Sequence, residues 1–267
     1  MSKYGLIAGN GRFPMLALEE ARKLGDEVIV IGVKDEASPE LEKLGKVHWL
    51  TIAELGKLID ILKREGATQV MMCGQVKHVS IFSALRPDWR MAKLLMSLKE
   101  RNTDALIGGV IQVLADEGIE VVDSTRLLKP LIAPAGVLTR RKPTDEEEKE
   151  VGYGRRIAAA LSGFDLGQSV AIASRACVAL EAMEGTDAML RRAAGLAGGH
   201  RITLVKGSRR RGHLLFDVPV AGPGTIATMK ETGTTILAVD AGRTLLLDRA
   251  EMLAAADAAK ICVVAYE

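Results

Sequence analysis

The stretch YGLIAGNGRFP, residues 4–14, decides the fold class of this chain. Tyr4–Ala8 is an apolar run typical of a buried β-strand, and glycines follow it at positions 9 and 11. Pro14 stands where a helix can begin without the loss of a backbone hydrogen bond, and Gly25 marks the end of that helix. A strand, a glycine turn and a helix in direct succession form the opening unit of an α/β sheet.

The same alternation of strands and helices continues to about residue 130. Four further β-rich runs are predicted to be strands: 27–32, 47–50, 69–73 and 119–122. Helical patterns separate them, and one helix is predicted to begin at the capping box Thr51-x-x-Glu54. Such alternation implies parallel pairing with right-handed crossovers. Residues 1–130 are therefore predicted to form a Rossmann-like, doubly wound α/β domain.

The composition changes between residues 131 and 143, where prolines and a glycine interrupt the periodic pattern. We predict a linker over 131–143. A second capping box, Thr144-x-x-Glu147, opens a charged helix directly after it. Beyond this helix, two adjoining strands at 169–174 and 176–182 break the regular alternation. Residues 144–267 are therefore predicted to form a second, mixed α/β domain.

Composition excludes several classes of protein. Of 267 residues, 48% are hydrophobic and 26% charged, which is the balance of a folded chain with a sizeable core. The net charge of +2 and the 3% of aromatic residues argue against a nucleic-acid partner. Three scattered cysteines favour neither a disulfide framework nor a zinc site. With no signal peptide and no apolar run near the ~20 residues that span a bilayer, we expect a cytoplasmic protein.

Two segments of the first domain are candidates for nucleotide binding. Gly9, Asn10 and Gly11 lie between a strand and a helix, where the backbone can approach a phosphate at the positive end of the helix. Gln75 and Lys77 follow the fourth strand, and the carboxyl ends of strands face the ligand crevice of a doubly wound sheet. The alternatives are a tight turn and an ordinary polar loop, neither with a ligand.

The segment 181–192, EAMEGTDAMLRR, combines three carboxylates, a glycine and two arginines at a predicted strand-to-helix junction. Glu181 and Glu184 offer the hard oxygen ligands that magnesium prefers. Thr186, Asp187 and Arg191 are candidate substrate-binding residues, since a guanidinium group binds phosphate through a fork of donors. The alternative is a capped surface helix with solvated charges.

The segment 216–225, FDVPVAGPGT, carries one acid among apolar residues. Asp217 there is costly unless it meets a metal ion, a cation or the N–H groups of the glycine loop around Gly222. The alternative is a loop cap. Upstream, residues 206–211, KGSRRR, form a basic cluster that is suited to phosphate or to an anionic membrane face, or is simply solvated.

These motifs together resemble one family, the I-type UDP-2,3-diacylglucosamine pyrophosphatases of lipid A biosynthesis. The matching pieces run in family order over nearly the whole chain: GLIAGNG 5–11, FSALRPD 82–88, DAL 104–106, EGTDAMLRR 184–192 and FDVP 216–219. The run from Glu184 to Met189 is highly specific, whereas the glycine turn alone is not. The sequence departs from the expected pattern at 211–215, RGHLL, which bears on the loop contacts there.

The resemblance implies hydrolysis of UDP-2,3-diacylglucosamine to UMP and 2,3-diacylglucosamine 1-phosphate (lipid X), with attack on the sugar-side phosphorus. It also implies Mg²⁺ dependence, two domains with the lipid between them, and a homodimer. The essential aspartate of the family falls on Asp217, which we expect to hold magnesium with Glu181 or Glu184. An enzyme with a lipid substrate is expected to contact the inner membrane peripherally, with Arg209–Arg211 as the candidate contact.

Two other functions remain open from the residues alone. A non-catalytic nucleotide or lipid binding protein would have the same ligand-binding crevice as the enzyme. An NAD-dependent oxidoreductase is favoured by the glycine turn at 9–11 and disfavoured by Pro14, which replaces the third glycine of the dinucleotide fingerprint.

Overall fold

The computed structural model describes residues 3–76, 87–98, 103–161, 164, 166–208 and 218–267, apart from the side chains of residues 103 and 104. The chain divides into two units, Met1–Leu128 and Lys129–Glu267. Within the described ranges, no helix combines the length and the apolar character that crossing a bilayer requires.

The first unit is built on a five-stranded parallel sheet of order β3-β2-β1-β4-β5. Its strands are β1 Lys3–Ala8, β2 Glu27–Val33, β3 Val47–Leu50, β4 Gln69–Cys73 and β5 Glu120–Val121. Its helices are α1 Phe13–Lys23, α2 Leu55–Arg64, α3 Trp89–Ser97 and α4 Thr103–Asp116, with a 3-10 helix at Pro39–Leu44. The strands run outward from β1 in both directions, so the α/β, doubly wound prediction is confirmed.

Local sequence explains the start of this unit. Pro14 lies in the first turn of α1, as predicted. The buried residues of α2, namely Leu55, Leu58, Ile59 and Leu62, have the spacing of one helical face.

Half of the capping box predicted at Thr51 is formed, because Thr51 N donates to Glu54 Oε2 at 2.7 Å. The other half is not formed: α2 begins only at Leu55, and the Thr51 hydroxyl donates to Glu54 Oε2 at 3.0 Å. The Thr51 hydroxyl therefore donates to a carboxylate and does not accept from the helix.

The second unit contains a six-stranded mixed sheet of order β6-β13-β11-β9-β7-β8 and a separate parallel pair, β10-β12. Its strands are β6 Gly136–Val137, β7 Ser169–Ala173, β8 Ala176–Leu180, β9 Ile202–Lys206, β10 Val220–Ala221, β11 Thr234–Asp240, β12 Leu245–Leu246 and β13 Cys262–Tyr266. Its helices are α5 Asp145–Leu161, α6 Thr186–Leu196, α7 Pro223–Glu231 and α8 Arg249–Ala258, with a 3-10 helix at Lys129–Leu131. Strands β9, β11 and β13 are parallel, whereas β7 is antiparallel to both β8 and β9, so the sheet is mixed as predicted.

The interval 131–143, predicted to be a linker, is built into this second unit. Ala133 is fully buried, and its N–H donates to the Thr244 carbonyl at 2.8 Å. β6 pairs antiparallel with β13, and Leu138 N donates to the Val263 carbonyl at 2.8 Å. A two-residue edge strand is too short to show a period in the sequence, which is why the interval resembled a linker.

The capping box predicted at Thr144 is confirmed at the start of α5. Glu147 Oε2 accepts from Thr144 N at 2.9 Å, and Thr144 Oγ1 accepts from Glu147 N at 3.3 Å.

Candidate functional site

The ends of β1 and β4 form the first candidate site. The strand order reverses between these neighbours, and such a switch point is where open α/β sheets bind ligands. Backbone hydrogen bonds join the loops that leave the two strands. Gly9 N donates to the Cys73 carbonyl at 2.8 Å, Asn10 N to the Gln75 carbonyl at 2.6 Å, and Gln75 N to the Asn10 carbonyl at 3.1 Å.

The glycines of these loops allow the close approach. A Cβ on Gly9 would lie 2.4 Å from the Gln75 carbonyl oxygen. Gly74 has a φ of +88°, and a Cβ there would lie 2.5 Å from the Asn10 carbonyl oxygen. Gly9 was predicted to contact a phosphate. In the structure, its lack of a side chain allows the two loops to approach each other.

The exposed groups of this site are Asn10, Gly11 and Gln75. Asn10 Oδ1 accepts from Gly11 N at 2.6 Å, which orients the amide. Gly11 has a φ of +94°, and a Cβ there would meet nothing within 4 Å. α1 begins two residues later without a side-chain cap. The structure thus brings the predicted residues 9, 10, 11 and 75 together, with polar donors beside a helix N-terminus. Lys77 lies outside the described residues.

The second candidate site is centred on Thr186, the first residue of α6. Its hydroxyl oxygen lies 3.2 Å from Glu181 Oε1, 3.0 Å from Ser169 Oγ and 3.0 Å from Lys206 Nζ. Gly185, at φ 84°, is the N-cap of α6, so the Thr186 hydroxyl does not cap the helix. We call Ser169, Glu181, Thr186 and Lys206 the Thr186 cluster.

The register of the sheet assembles this cluster. Ser169, the first residue of β7, pairs with Lys206, the last residue of β9. Glu181 follows β8, and its backbone is held by Gly167 N donating to its carbonyl at 3.1 Å and by its own N–H donating to the Ser169 carbonyl at 2.9 Å. The cluster lies at the edge where the parallel strands β9, β11 and β13 have their carboxyl ends.

The two carboxylate oxygens of Glu181 differ in their hydrogen bonds. Its Oε1 accepts from Thr186, whereas its Oε2 is buried and accepts from no group in the described part of the chain. A buried carboxylate oxygen without a donor is costly, and a bound cation or a ligand donor would satisfy it.

Glu184 and Arg191 are placed elsewhere. Glu184 accepts from Ala182 N at 3.0 Å and pairs with Arg192, which lowers the pKa of its carboxyl group. Arg191 donates from Nε at 3.0 Å and from Nη2 at 3.1 Å to Glu231 of α7, and Glu231 in turn raises the pKa of Arg191. Asp187 is exposed in the first turn of α6.

Gly222 is the N-cap of α7, and its N–H donates to Thr225 Oγ1 at 3.3 Å. The glycine loop therefore opens a helix, as predicted. Asp217 and Arg209–Arg211 lie outside the described residues.

Sequence comparison assigns both units to known domains. The family model of the LpxI N-terminal domain matches residues 3–131, and that of the LpxI C-terminal domain matches residues 134–264. The chain belongs to the LpxI family. The family resemblance predicted from the motifs is thereby confirmed.

One curated LpxI relative is similar over nearly its full length. The chain is 32% identical over 270 residues to a Caulobacter vibrioides protein named UDP-2,3-diacylglucosamine pyrophosphatase LpxI, covering 96% of this chain and 95% of that protein.

Two solved structures have only a weak similarity to this LpxI chain. A GalE-like L-threonine dehydrogenase from Cupriavidus necator is 21% identical, with a TM-score of 0.29, over 44% of this chain and 35% of that one. The biotin carboxylase domain of the Hydrogenobacter thermophilus 2-oxoglutarate carboxylase is 14% identical, with a TM-score of 0.25, over 74% and 41%. Both scores are too low to support an inference.

The described side chains of this LpxI chain fit a magnesium ion only in part. The described ranges contain no group of three or more Asp, Glu, His or Cys side chains that would hold a metal. Glu181 fits as one ligand, because its Oε2 is a buried hard oxygen in need of a partner. Glu184 does not fit, because both its oxygens are engaged by Ala182 N and Arg192.

Ser169 was missed in the sequence, because it is an ordinary residue at a strand end and stands in no motif. Lys206 is the first residue of the basic cluster 206–211, but its contact with Thr186 was not predicted. The signal that finds them is the pairing of β7 with β9, which is visible only in the folded sheet.

Proposed function

We propose that this chain hydrolyses the pyrophosphate of UDP-2,3-diacylglucosamine, giving UMP and 2,3-diacylglucosamine 1-phosphate, a step of lipid A biosynthesis. The observation that carries the proposal is the 32% identity, over 95% of its length, to the Caulobacter vibrioides protein that bears this activity in its name. The EGTDAM run and the Asp-x-Pro motif at Asp217 support it.

The switch point of the first unit is the proposed nucleotide site. Asn10 and Gln75 carry side-chain amides, which can both donate and accept, as recognition of a uracil edge requires. The N-terminus of α1 supplies N–H groups and a favourable dipole for a phosphate. The paired loops hold these groups in place, because three backbone hydrogen bonds fix their separation.

The Thr186 cluster and Asp217 are the proposed reaction site. Asp217 and Glu181 are the carboxylates that we propose hold Mg²⁺. When bound, the ion neutralises charge on the phosphate oxygens and lowers the pKa of a bound water. Thr186 holds Glu181 Oε1 by a hydrogen bond, so that Oε2 remains available. Water then forms a bond to the sugar-side phosphorus, the bond from that phosphorus to the bridging oxygen breaks, and UMP leaves.

Finer proposals concern the setting of the reaction. The substrate carries two acyl chains, so we propose a cytoplasmic enzyme that contacts the inner membrane peripherally, with Arg209–Arg211 as the contact, and that acts as a homodimer. Flotation with anionic vesicles, compared between the wild type and a variant with all three arginines changed to glutamine, tests the membrane contact. Unchanged flotation contradicts that contact. Light scattering of the purified protein tests the homodimer, and a monomer mass contradicts it.

The decisive experiment is product analysis by mass spectrometry. Purified protein is incubated with UDP-2,3-diacylglucosamine and magnesium, with and without a chelator. We expect UMP and lipid X only in the tube without chelator. Product formation in both tubes contradicts the role of the metal. Intact substrate in both tubes contradicts the enzyme and favours a non-catalytic carrier.

A further inference from the structure

We propose that the exposed face of α3 binds the surface of an anionic bilayer, with Trp89 and Met96 in the interfacial layer and Lys93 at the lipid head groups. These residues belong to the first unit and are different from the Arg209–Arg211 contact proposed above. The proposal does not depend on the hydrolase activity, so either can fail without the other.

The inward face of α3 is used by its own unit. Met91 and Leu94 are buried. The helix packs against α4 at Gly109, where a Cβ would lie 2.5 Å from Leu94 Cδ1 and 3.4 Å from Leu98 Cδ2. Hydrophobic burial within the first unit therefore accounts for this face, and the other face of α3 is turned away from α4.

The opposite face of α3 exposes two large apolar side chains. Trp89 is 79% exposed and Met96 is 88% exposed. Seven residues separate them, which is two helical turns, so they lie on one stripe, and the exposed Lys93 stands between them. Single exposed apolar residues are ordinary, but a tryptophan and a methionine on one stripe indicate a surface that another molecule covers.

The two tryptophans of the chain have different surroundings. Trp49 is half-buried, and its Nε1 donates to Glu42 Oε1 at 2.7 Å. Its ring lies over Gly32, where a Cβ would be 2.5 Å from the nearest ring atom. The indole N–H of Trp89, by contrast, makes no hydrogen bond within the described ranges. An apolar ring with a polar N–H suits the boundary between lipid and water, where tryptophan is enriched in membrane proteins.

The charges of α3 complement an anionic surface. The helix contains Arg90 and Lys93 and no acidic residue. Arg90 pairs with Glu117, whereas Lys93 makes no ion pair in the part of the chain that the structure describes. Asp88, the N-cap, accepts hydrogen bonds from backbone N–H groups of α2 and α3. The exposed stripe therefore carries a cation and no anion, which favours contact with anionic lipids.

The position of Lys93 also argues against a protein partner. Lysine is depleted from the cores of protein interfaces, because its ammonium group would lose water and would need a buried counter-charge. At a bilayer, the ammonium group reaches the lipid phosphates while its methylene chain lies along the apolar surface beside Trp89 and Met96. The stripe therefore fits a lipid surface better than a second protein.

The test uses tryptophan fluorescence of the full chain with vesicles of equal parts phosphatidylcholine and phosphatidylglycerol. Trp49→Phe leaves Trp89 as the single tryptophan of the chain, and Trp89→Phe leaves Trp49. We expect vesicles to shift the emission of Trp89 to shorter wavelength, and lipids with brominated acyl chains to quench it. The emission of Trp49 should change in neither respect, so Trp89→Phe is the matched control.

Flotation with the same vesicles measures how much each side chain contributes. Trp89→Ser should weaken vesicle binding ~10- to 100-fold, the loss expected for one large apolar side chain that leaves water. Lys93→Gln should weaken it about fivefold, and this effect should be absent with phosphatidylcholine alone. Leu196→Ser, which changes an exposed leucine of α6, is the control and should bind as the wild type does.

Two results overturn the proposal. Trp89 emission that vesicles neither shift nor quench shows that α3 stays in water, even if Arg209–Arg211 bind the vesicle. A shift to shorter wavelength that grows with protein concentration in the absence of lipid assigns the stripe to a second copy of this chain.

Turnover of UDP-2,3-diacylglucosamine separates this inference from the proposed function. A protein whose Trp89 is quenched by brominated lipid but that forms no UMP supports the bilayer surface and contradicts the hydrolase activity. A protein that forms UMP while Trp89 stays unquenched supports the activity and overturns the surface.

Discussion

Arg141 and Glu147 form a bidentate ion pair, in which Arg141 Nη1 lies 2.8 Å from Glu147 Oε2 and Arg141 Nη2 lies 2.8 Å from Glu147 Oε1. The Glu147 side chain is 2% exposed, and Thr235 Oγ1 also donates to it at 2.7 Å. Arg141 comes from the interval predicted to be a linker, Glu147 from the first turn of α5, and Thr235 from β11. One carboxylate therefore ties three parts of the second unit together.

We predict that Glu147→Gln lowers the free energy of unfolding by about 3 kcal/mol at neutral pH, because it leaves the Arg141 guanidinium without its counter-charge. Glu146→Gln is the matched control on the same helix. Its ion pair with Arg175 is about half exposed on both sides and should contribute less than about 1 kcal/mol. Urea unfolding of both variants measures the difference, and equal losses contradict the prediction.

The same pair predicts a pH dependence. Burial alone would raise the pKa of Glu147, but Arg141, Thr144 N–H and Thr235 outweigh it and lower the pKa from 4.5 to about 2. Because the folded pKa lies below the unfolded one, the contribution is complete above pH 4.5 and is lost as the pH falls towards 2, about 3 kcal/mol in all. Wild type should therefore lose more stability than Glu147→Gln between neutral pH and about pH 3. Parallel curves for the two proteins would refute this.

Two glycines of α5 predict opposite effects. A Cβ on Gly154 would lie 2.6 Å from Val205 Cγ2 of β9, whereas a Cβ on Gly152 would meet nothing within 4 Å. We expect Gly154→Ala to destabilise the protein by roughly 1–3 kcal/mol through overpacking. Gly152→Ala should stabilise it by about 0.5–1 kcal/mol through helix propensity. Urea midpoints test both, and a shift of the same sign in the two variants would be the contrary result.

The paired loops of the first unit predict a loss of nucleotide binding in Gly74→Ala. At a φ of +88° and 2.5 Å from the Asn10 carbonyl oxygen, the new Cβ separates the loops. We expect the affinity for UMP to fall by about tenfold, an order-of-magnitude estimate for a displaced loop. Gly108→Ala, exposed on α4 with open space around it, is the control and should bind as the wild type does. UMP affinity that is unchanged in Gly74→Ala argues against a nucleotide site at the switch point.

The proposed metal ligands predict losses of turnover. Asp217→Asn and Glu181→Gln should each lower kcat by about a hundredfold or more, since each removes a charge from the ion's shell. Glu181→Gln should also raise the magnesium concentration needed for half-maximal rate. Glu251→Gln, exposed on α8, serves as the control. Near-normal turnover in Asp217→Asn would remove the central residue of the mechanism.

Local sequence determined the elements and the family. The run from Tyr4 to Pro14 predicted β1, the glycine turn and α1, because burial, turn chemistry and helix starts depend on neighbouring residues. The capping box at Thr144 could also be predicted from the sequence, because its two residues lie within one helical turn. The motif at 184–192 led to the LpxI family for the same reason, because its specificity lies in one continuous run.

Only the tertiary structure decided which side chains meet. Arg191 pairs with Glu231 because α6 lies against α7, and nothing in the EGTDAMLRR run predicts that neighbour. Ser169 and Lys206 reach Thr186 because the antiparallel register of β7 and β9 sets them opposite each other, and a shift of one residue would turn them to the other face of the sheet. Contacts between residues far apart in the chain depend on such register and packing, whereas strands and helices follow from the local pattern.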